Sequence, residues 1–570
     1  MLRRRHIYSP PYFACYGHSF QKQQKKFVGF GEFSYICSPN SETMTTRRYP
    51  VGIQTFSTII REGFVYVDKT DLVWQLVHYA KYIFLSRPRR FGKSLLTSTL
   101  ESYFRGEKEL FEGLKMMELE QEWVEYPVIR LDLSMAKAQA SAEALQERLL
   151  LLMKNYLKVY GSDADEVTPG GMLQGLIRRA YEQTGRQVVV IVDEYDAPLL
   201  DVLHNEAILA DMRRVMQEFY APLKASEAMV KFCFITGITK FSQLSIFSTI
   251  NNLTNVTMDT MFATICGITE HELTTVLKED VGRLAELNAV AYEAMLEKLR
   301  LQYDGYHFTE NSEGVYNPFS LLKAFQQRKV ANYWFESGTP TFLIRQLQHF
   351  NTDITSLDRL EVSSSAFDQP TENMEDALPL LYQSGYLTIK DYEPDIEAYI
   401  LSIPNQEVRV GYVRGLLPAY TGLNTNDVQM GFAAKFWRAL RNGNVDQAMH
   451  EMQAYLAGIP YVEGFRQKLA EAATAEGFYE YTMYLIFSML NVYVQTQVKC
   501  AGGRTDMVVW MPDVIYVFEL KVNGTAKEAL QQIDDRGYAI PFTADGRKVV
   551  KIGVKFNAGT RCPEEWVVSE

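Results

Sequence analysis

Four short apolar runs constrain the fold most strongly, because helical patterns separate them along residues 64–270. They are rich in β-branched and aromatic residues, which favour strands. Continuous apolar strands that alternate with helices are typical of a parallel sheet covered on both faces. The runs are Tyr82–Leu85, Val128–Leu133, Val188–Val192 and Lys231–Ile235, with helices such as Ser94–Phe104 and Ala142–Tyr160 between them. The pattern predicts an α/β domain.

The first of these runs leads into a candidate phosphate-binding loop, Ser86-Arg-Pro-Arg-Arg-Phe-Gly-Lys-Ser, which opens a helix. In a P-loop, Gly92 would let the backbone approach phosphate, Lys93 would reach the β- and γ-phosphates, and Ser94 would bind Mg²⁺. The first glycine of GxxxxGK[ST] is replaced by Arg87. The candidate nucleotide contacts in the loop are Arg90, Phe91, Gly92, Lys93 and Ser94.

A second element of a nucleotide site ends the run Val188–Val192, which is followed by Asp193 and Glu194. At the end of a parallel strand, Asp193 could hold Mg²⁺ and Glu194 could polarise the attacking water. A solvated pair of acids at a strand end is the alternative. Thr236 ends another strand, where its hydroxyl could sense the γ-phosphate or simply cap the strand. Together the two motifs predict a P-loop NTPase sheet with ATP and Mg²⁺ as ligands.

Seven motifs in a fixed order resemble the AAA-ATPase-like family of bacterial proteins, and the resemblance covers about residues 48–345. It implies ATP binding, and an absent first glycine is usual for it. The motifs are Arg87–Leu95, Val192–Leu199, Thr236–Ser242, Ser248–Thr254, Tyr303–Phe308, Val315–Ser320 and Tyr333–Pro340.

A second candidate site lies in a predicted hairpin near the C-terminus, whose turn signal is Pro512-Asp513. With those two residues as the loop, counting outward along both arms places Asp506 opposite Glu519. Opposed residues have Cβ atoms about 4.5–5.5 Å apart on one face of a sheet. Lys521, two residues after Glu519, lies on the same face. The register therefore predicts that two carboxylates and an ammonium converge.

This constellation suits metal-dependent phosphodiester chemistry. Asp506 and Glu519 could share Mg²⁺, which binds water and a phosphate oxygen. Lys521 could orient or deprotonate the attacking water and stabilise the developing charge. A surface ladder in which Lys521 only pairs with an acid is the alternative. The strand around Glu519 is strongly apolar, however, and burying an acid without a role is costly.

Asp-x₁₂-Glu-x-Lys is the signature of PD-(D/E)XK nucleases, and residues 465–560 resemble the nuclease-like domain commonly fused behind this ATPase. The resemblance implies that Glu480 is an auxiliary acid and that Gln532 lines the site from a helix. Glu480 as an ordinary helix acid remains the alternative. Many relatives carry another acid upstream of the Gly-Arg-Thr-Asp turn. Here that stretch reads Gln495-Thr-Gln-Val-Lys, which places a second metal in question.

The remaining chain divides by composition and pattern. A helix at 377–384, followed by two strands, has the outline of a winged helix. The expected fold class is therefore α/β, with a P-loop NTPase sheet, a helical and winged-helix-like middle region, and a C-terminal restriction-endonuclease-like domain. The expected boundaries are a disordered or untranslated extension at 1–43, the ATPase at 44–270, a lid and winged region at 271–424, a helical linker at 425–475, and the nuclease-like domain at 476–570.

Composition limits the partners. A net charge of −11 excludes a uniformly basic nucleic-acid surface, so any groove must be locally basic. Six scattered cysteines without a CxxC pair favour a reducing, cytoplasmic compartment. The longest uncharged apolar run has fourteen residues, too few for a membrane span.

Three functions remain open on the sequence. The first is a hydrolase in which ATP controls a nuclease, with nucleic acid as the partner, DNA in preference to RNA. The second is an ATP-driven switch whose nuclease fold only binds nucleic acid or protein. The third is an interaction protein with two degraded sites. A homo-oligomer is compatible with the sequence, which leaves the oligomeric state open.

Overall fold

The computed structural model describes most of the chain from Arg47 onward. The expected extension at 1–43 lies outside the described residues. The described ranges are 47–136, 141–200, 202–203, 205–239, 252–337, 350, 357, 359–368, 376–412, 428–457, 479–480, 483–484, 486–487, 493–500, 502–557, 559–560 and 562–570.

The first sheet has five parallel strands in the order β2-β3-β4-β1-β5. This confirms the predicted parallel P-loop sheet. The strand before the phosphate loop (β1) and the strand that ends in Asp193 (β3) are separated by β4. The two-residue strand β5 was not predicted, because two residues carry no periodicity. The strands are β1 Tyr82–Ser86, β2 Val128–Asp132, β3 Val188–Asp193, β4 Val230–Gly237 and β5 Thr254–Asn255.

Helices cover both faces of this sheet, because successive residues of each strand point to opposite sides. Val189 and Ile191 of β3 pack into one apolar cluster with the helix that follows the phosphate loop. Val188 and Val190 pack into a second cluster with the long helices on the other face. The helices are α1 Phe56–Arg61, α2 Thr70–Tyr79, α3 Lys93–Phe104, α4 Met116–Leu119, α5 Ala142–Tyr160, α6 Pro169–Thr184, α7 Ala197–Leu200 and α8 Glu206–Ala225.

The middle region is mainly helical, as expected, and also contains two small antiparallel sheets. One consists of β6 and β7, and the other has the order β8-β10-β9. A helix before β9 and the β9–β10 ribbon give the winged-helix outline, to which β8 adds a third strand. The elements are β6 Ile268–Thr269, α9 Glu270–Thr275, α10 Lys278–Leu287, α11 Tyr292–Tyr303, β7 Val315–Tyr316, α12 Pro318–Gln327, β8 Leu360–Ser363, α13 Ser364–Phe367, α14 Leu378–Gln383, β9 Thr388–Glu393 and β10 Ala398–Ser402.

The C-terminal region is a mixed five-stranded sheet in sequence order, β11 to β15, with a helix packed against it. Only the β13–β14 pair is parallel. For residues 476–570 the sequence predicts a helix–strand–strand–helix–strand unit, and most of its first helix lies outside the described residues. The structure adds β11 between that predicted helix and the β12–β13 hairpin, and it adds β15 after the last predicted strand. The elements are α15 Val428–Arg441, α16 Val445–Ala457, β11 Tyr493–Cys500, β12 Gly503–Trp510, β13 Val514–Lys521, α17 Ala526–Asp535, β14 Lys548–Phe556 and β15 Pro563–Ser569.

The described residues from 47 onward form one compact unit. A single buried apolar cluster contains Phe91 of the phosphate loop, Tyr386 of the middle region and Phe518 of β13. The two candidate sites are therefore joined by continuous packing. Short 3₁₀ turns complete the fold at Lys108–Phe111, Leu133–Ala136, Glu227–Met229, Thr260–Phe262, Trp334–Ser337, Pro394–Ile396 and Ile540–Phe542. Among the described residues, no helix is long and apolar enough to span a bilayer.

Candidate functional site

The phosphate loop encloses the ammonium group of Lys93. Gly92, the residue before α3, has a φ of 92°, in the left-handed region that favours glycine. The turn brings Lys93 Nζ within 2.9 Å of the carbonyl oxygens of both Arg87 and Pro88. Lys93 is 7% exposed, and this burial lowers the pKa of its ammonium group against the opposing effect of nearby acids, of which Asp193 is the strongest. The loop therefore holds a buried cation that carbonyl oxygens stabilise.

The start of α3 and the end of β3 bring Ser94 and Asp193 together. Asp193 is 1% exposed and accepts hydrogen bonds from the hydroxyls of Ser94 and Thr97, the latter at 3.2 Å. Burial raises the pKa of Asp193, and the Ser94 hydrogen bond and Lys93 oppose that rise. A serine and an aspartate in contact beside a phosphate loop fit the oxygen donors that hold Mg²⁺ in P-loop proteins.

A further acid, Asp132, stands next to this pair and was not identified from the sequence. Asp132 ends β2 and lies directly beside Asp193 in the parallel register. Register partners in a parallel pair point to the same face of the sheet. The signal was present, since the predicted strand Val128–Leu133 contains this acid near its end, but only the sheet order shows that the two strand ends are neighbours.

The residues that follow Asp193 connect the end of β3 to the end of β4 through hydrogen bonds. Glu194 has a left-handed φ of 49°, which places it at a sharp turn after the strand. Asp196 is 1% exposed and accepts hydrogen bonds from Ile238 N at 3.0 Å and from the backbone and hydroxyl of Thr239 at 2.6 Å each. The Thr236 hydroxyl donates to Leu85 O at 2.6 Å within the sheet. Thr236 thus bonds to a strand carbonyl, and its role as a phosphate sensor stays a prediction.

Asp196 is a functional candidate that sequence reasoning missed. Burial raises the pKa of its carboxyl group, and the hydrogen bonds from Thr239 and the charge of Lys93 oppose that rise. The position is part of the quoted motif Val192–Leu199. Its role in holding the end of β4 became evident only from the tertiary contacts.

The unusual Arg87 is explained by where its side chain lies. It is 1% exposed and donates to the carbonyl oxygens of Ser86, Thr257 and Phe262 at 2.8–2.9 Å. The guanidinium also lies 4.1 Å from the Phe308 ring centroid. Burial lowers the pKa of Arg87 to about 10. The residue in place of the first glycine therefore anchors the loop to the protein behind it.

Arg90 and Phe91 also direct their side chains into the protein. Arg90, with a φ of 69°, donates to Tyr333 O at 2.8 Å and stacks 3.8 Å from the Phe319 ring. Phe91 is 1% exposed and packs edge-on against Tyr306, with ring centroids 4.7 Å apart. Both residues were predicted to bind nucleotide. Because these side chains contact the middle region, a contribution to nucleotide binding would come from their backbone.

At the C-terminal site, the strand register is the predicted one. Met507 pairs with Phe518, so the next position outward places Asp506 opposite Glu519. Beyond the Met507–Phe518 pair, hydrogen bonds that involve side chains replace the backbone hydrogen bonds between the two strands. Asp506 Oδ2 accepts a hydrogen bond from Leu520 N at 2.7 Å, and Asp506 N lies 3.4 Å from Glu519 Oε2. Thr505 Oγ1 donates to Phe518 O at 3.0 Å. The two strands therefore separate at the pair of acids, and the carboxylates occupy the opening.

Glu519 is the centre of the C-terminal cluster. Its side chain is 2% exposed, and Lys521 Nζ lies 3.3 Å from its Oε1. The Gln532 amide, on α17, donates to the same oxygen. Burial and the neighbouring Asp506 raise the pKa of Glu519 to about 7, and Lys521 opposes that rise. The geometry thus brings four of the candidate residues together, although their catalytic roles remain proposals.

Glu480 reaches this cluster through Gln497, which sequence reasoning did not single out. Gln497 lies between the pairs Thr496–Met507 and Val498–Thr505, so it stands across from Asp506 on β11. It has a φ of 49° and donates to Glu480 Oε2 at 2.9 Å. Gln497 thus occupies the strand position beside Asp506 where an additional acid would extend the ligand set.

The acids at the C-terminal site fit one Mg²⁺ ion. Within the described ranges, no group of three or more His, Cys, Asp or Glu side chains is arranged to hold a metal. Mg²⁺, however, keeps several waters and is commonly bound through one or two carboxylates plus substrate phosphate. Asp506 and Glu519 supply two carboxylates on one face, and a cation between them would relieve the repulsion that contributes to the raised pKa of Glu519.

The fold and the two sites thus define a P-loop ATPase-like protein with a PD-(D/E)XK-type C-terminal domain. Comparison with known families gives the same class. The model of predicted AAA-ATPases matches residues 50–247, and the model of the PD-(D/E)XK nuclease superfamily matches residues 474–566.

A relative described as an uncharacterized protein in the vnfD 5′ region of Azotobacter chroococcum mcd 1 is 34% identical over 535 residues, which covers 92% of this chain and 99% of the relative. The chain therefore belongs to a family of AAA-ATPase-like proteins with a C-terminal PD-(D/E)XK nuclease-superfamily domain.

Two solved structures are weakly similar. One is Drosophila ORC bound to GC-rich DNA and Cdc6, with a TM-score of 0.20 and 14% identity, covering 57% of this chain and 52% of that chain. The other is the Walker-type ATPase paby2304 of Pyrococcus abyssi, with a TM-score of 0.19 and 14% identity, covering 75% of this chain and 89% of that chain. With TM-scores this low, neither structure supports a functional assignment.

Proposed function

We propose that this protein binds and hydrolyses ATP with Mg²⁺ at the phosphate loop, and that the nucleotide controls Mg²⁺-dependent cleavage of nucleic acid at the C-terminal site. The observation that carries this proposal is the presence of both sites in one compact unit. Lys93 lies beside the Ser94–Asp193 pair, and Asp506 and Glu519 form a second cluster with Lys521.

At the nucleotide site, Lys93 would exchange the carbonyl oxygens of Arg87 and Pro88 for phosphate oxygens. Ser94 and Asp193 would hold Mg²⁺, which supplies positive charge that neutralises the phosphates when it is bound. Glu194 would orient the attacking water at the turn after β3. Because exchange of neutral acceptors for charged ones strengthens the hydrogen bonds of an ammonium group, a buried Lys93 favours phosphate binding.

At the C-terminal site, Asp506 and Glu519 would hold Mg²⁺, which supplies Lewis-acid activation of a phosphate oxygen and a bound water when present. Lys521 would orient the attacking water and stabilise the negative charge that develops on the phosphoryl oxygens. Gln532 would fix the rotamer of Glu519. The substrate is a phosphodiester, for which we propose DNA in preference to RNA.

We also propose the domain boundaries along the chain. The proposed regions are an extension at 1–43, the ATPase at 44–270, the lid and winged region at 271–424, the linker at 425–475 and the nuclease-like domain at 476–570. The protein would act in the cytoplasm. In support, Cys233, Cys266 and Cys500 are thiols, as a reducing compartment maintains them.

A cleavage assay with the full chain tests the proposal. Plasmid DNA and a structured RNA are incubated with Mg²⁺ or Mn²⁺, with and without ATP. We expect metal-dependent cleavage of DNA whose rate changes with ATP, and loss of that cleavage in Asp506→Asn. Asp513→Asn is the matched control, because Asp513 lies in the turn at the other end of the same hairpin. Equal cleavage by Asp506→Asn and the parent would contradict the assigned site.

A second candidate function is a nucleotide-dependent switch whose C-terminal domain binds nucleic acid or protein without cleaving. Gln497 favours this alternative, because an amide rather than an acid stands across from Asp506. A gel-shift assay distinguishes the two functions. Binding of DNA by the parent, with no cleavage in either metal, would support the switch.

A further inference from the structure

One backbone segment links the phosphate loop to the residues that precede the C-terminal region. The carbonyl of Tyr333 accepts a hydrogen bond from Arg90 of the loop at 2.8 Å. The amides of Tyr333 and Trp334 donate to Glu407 Oε1 at 2.5 and 3.0 Å. Glu407 is 1% exposed. The peptide group between Tyr333 and Trp334 is therefore held at both ends, its carbonyl by Arg90 of the loop and its N–H by Glu407.

A second connection runs from Phe91 to the same segment. Phe91 packs on Tyr306, and the adjacent Gly305 approaches Pro404 so closely that a Cβ at Gly305 would lie 2.4 Å from the Pro404 carbonyl oxygen. Lys390 Nζ donates to the carbonyls of both Gly305 and Pro404, at 2.8 and 2.9 Å. Two neighbouring residues of the phosphate loop thus lead to residues 404–412, which we call the coupling segment.

The coupling segment continues into the C-terminal site. Its Arg409 is 6% exposed, and Nη1 donates to the Tyr484 hydroxyl at 3.0 Å in a buried hydrogen bond. Tyr484 follows Glu480 by four residues in the sequence, and Phe487, three residues further on, packs against Phe518 with ring centroids 5.5 Å apart. Phe518 directly precedes Glu519. Arg409 therefore contacts a residue that lies close in the sequence to both Glu480 and Phe487, the residue that supports β13.

We propose that the coupling segment transmits nucleotide occupancy of the phosphate loop to the C-terminal carboxylate site, with Arg409 and Tyr484 as the positioning residues. This inference rests on the proposed function. When Lys93 exchanges loop carbonyls for phosphate, the loop backbone must rearrange. Arg90 and Phe91 precede Lys93 by three and two residues, so the rearrangement moves the two anchors. Packed cores switch between discrete arrangements and do not deform continuously, which lets a small shift propagate.

Hydrogen exchange of the full chain tests the proposal independently of cleavage. The probe is a non-hydrolysable ATP analogue with Mg²⁺, and the readout is the exchange rate of peptides that contain Tyr484 and of peptides from Val514–Lys521. In the parent we expect the analogue to change exchange in both by about fivefold or more, the lower range of allosteric coupling. Tyr484→Phe removes only the hydroxyl that accepts from Arg409, and it should abolish that response while the analogue still binds.

Tyr516→Phe is the matched control. It removes a buried tyrosine hydrogen bond that β13 donates to Leu440 O at 2.6 Å, and this bond does not involve the coupling segment. It should keep the response of the parent. Arg409→Lys, which retains a cation, should keep part of the change in exchange rate. It provides a second test of the same hydrogen bond if Tyr484→Phe does not fold.

The outcomes separate this inference from the proposed function. If the analogue binds and the parent shows no change around Tyr484 and β13, or if Tyr484→Phe responds like the parent, the coupling segment has no such role. If the exchange response follows the prediction but the parent does not cleave, the coupling stands and the nuclease assignment fails. If cleavage does not depend on ATP and the analogue leaves the exchange rates unchanged, the coupling is refuted and the nuclease assignment stands.

Discussion

The buried carboxyl group of Glu519 makes a quantitative prediction about stability and pH. In the metal-free protein, burial and the adjacent Asp506 raise its pKa from the ordinary 4.5 to about 7. The substitution Glu519→Gln keeps the shape of the side chain and removes the titration. Any change in the contacts with Lys521 or Gln532 shifts the free energy of unfolding by an amount that does not depend on pH. The pH dependence of the difference between parent and variant therefore isolates the carboxyl group.

The sign follows from where the proton is held. Between pH 4.5 and 7, the folded parent keeps a proton on Glu519 that the unfolded chain has released. The free energy of unfolding of the parent therefore falls as the pH rises through this window. Each unit of pKa difference corresponds to about 1.4 kcal/mol, so the rise to about 7 costs the folded state about 3 kcal/mol once Glu519 is ionised. Below pH 4.5 this penalty is absent.

Urea unfolding in EDTA, measured from pH 5 to pH 8, checks the prediction. The parent should lose stability relative to Glu519→Gln by most of that penalty across the range. Glu565→Gln, an exposed acid on β15, should follow the parent at every pH. At pH 8, Mg²⁺ at a hundred times its dissociation constant should restore about 2.7 kcal/mol to the parent and nothing to Glu519→Gln. Identical pH slopes for parent and Glu519→Gln would refute the buried, repelled carboxylate.

Three further predictions concern the two sites. Lys93→Ala should abolish ATP binding in a calorimetric titration, because the loop relies on this buried ammonium, and parental affinity would contradict the P-loop assignment. Glu194→Gln should bind ATP normally and stop phosphate release, since only the water-orienting group is lost; unchanged turnover would point to another acid, with Asp132 the first to test. Lys521→Ala should retain Mn²⁺ binding and cleave DNA poorly, whereas Asp506→Ala should lose both, and the reverse pattern would exchange their roles.

The sequence alone determined many of the elements and much of their local arrangement. The apolar runs predicted four parallel strands because continuous burial leaves a compositional trace. The hairpin register that opposes Asp506 and Glu519 followed from Pro512-Asp513, because a short loop fixes which residues face each other. In both cases the information is local, within a few residues of the chain.

Contacts between distant segments were decided only by the tertiary structure. Asp132 beside Asp193 depends on the strand order, and Gln497 across from Asp506 depends on a strand that periodicity did not predict. Family resemblance suggested Glu480, but only the tertiary structure shows the hydrogen bond from Arg409 to Tyr484, four residues after Glu480.

Two of the arginines in the loop, Arg87 and Arg90, show the same limit. The sequence placed Arg87 at the missing glycine and Arg90 among the nucleotide contacts, yet the fold buries one guanidinium among carbonyl oxygens and stacks the other on Phe319. A cation beside a phosphate loop is attracted to phosphate from solution or to carbonyls and aromatic rings from the protein, and sequence composition is the same in both cases. The fold selects the protein partners, because segments more than 160 residues away along the chain fill the space around both side chains.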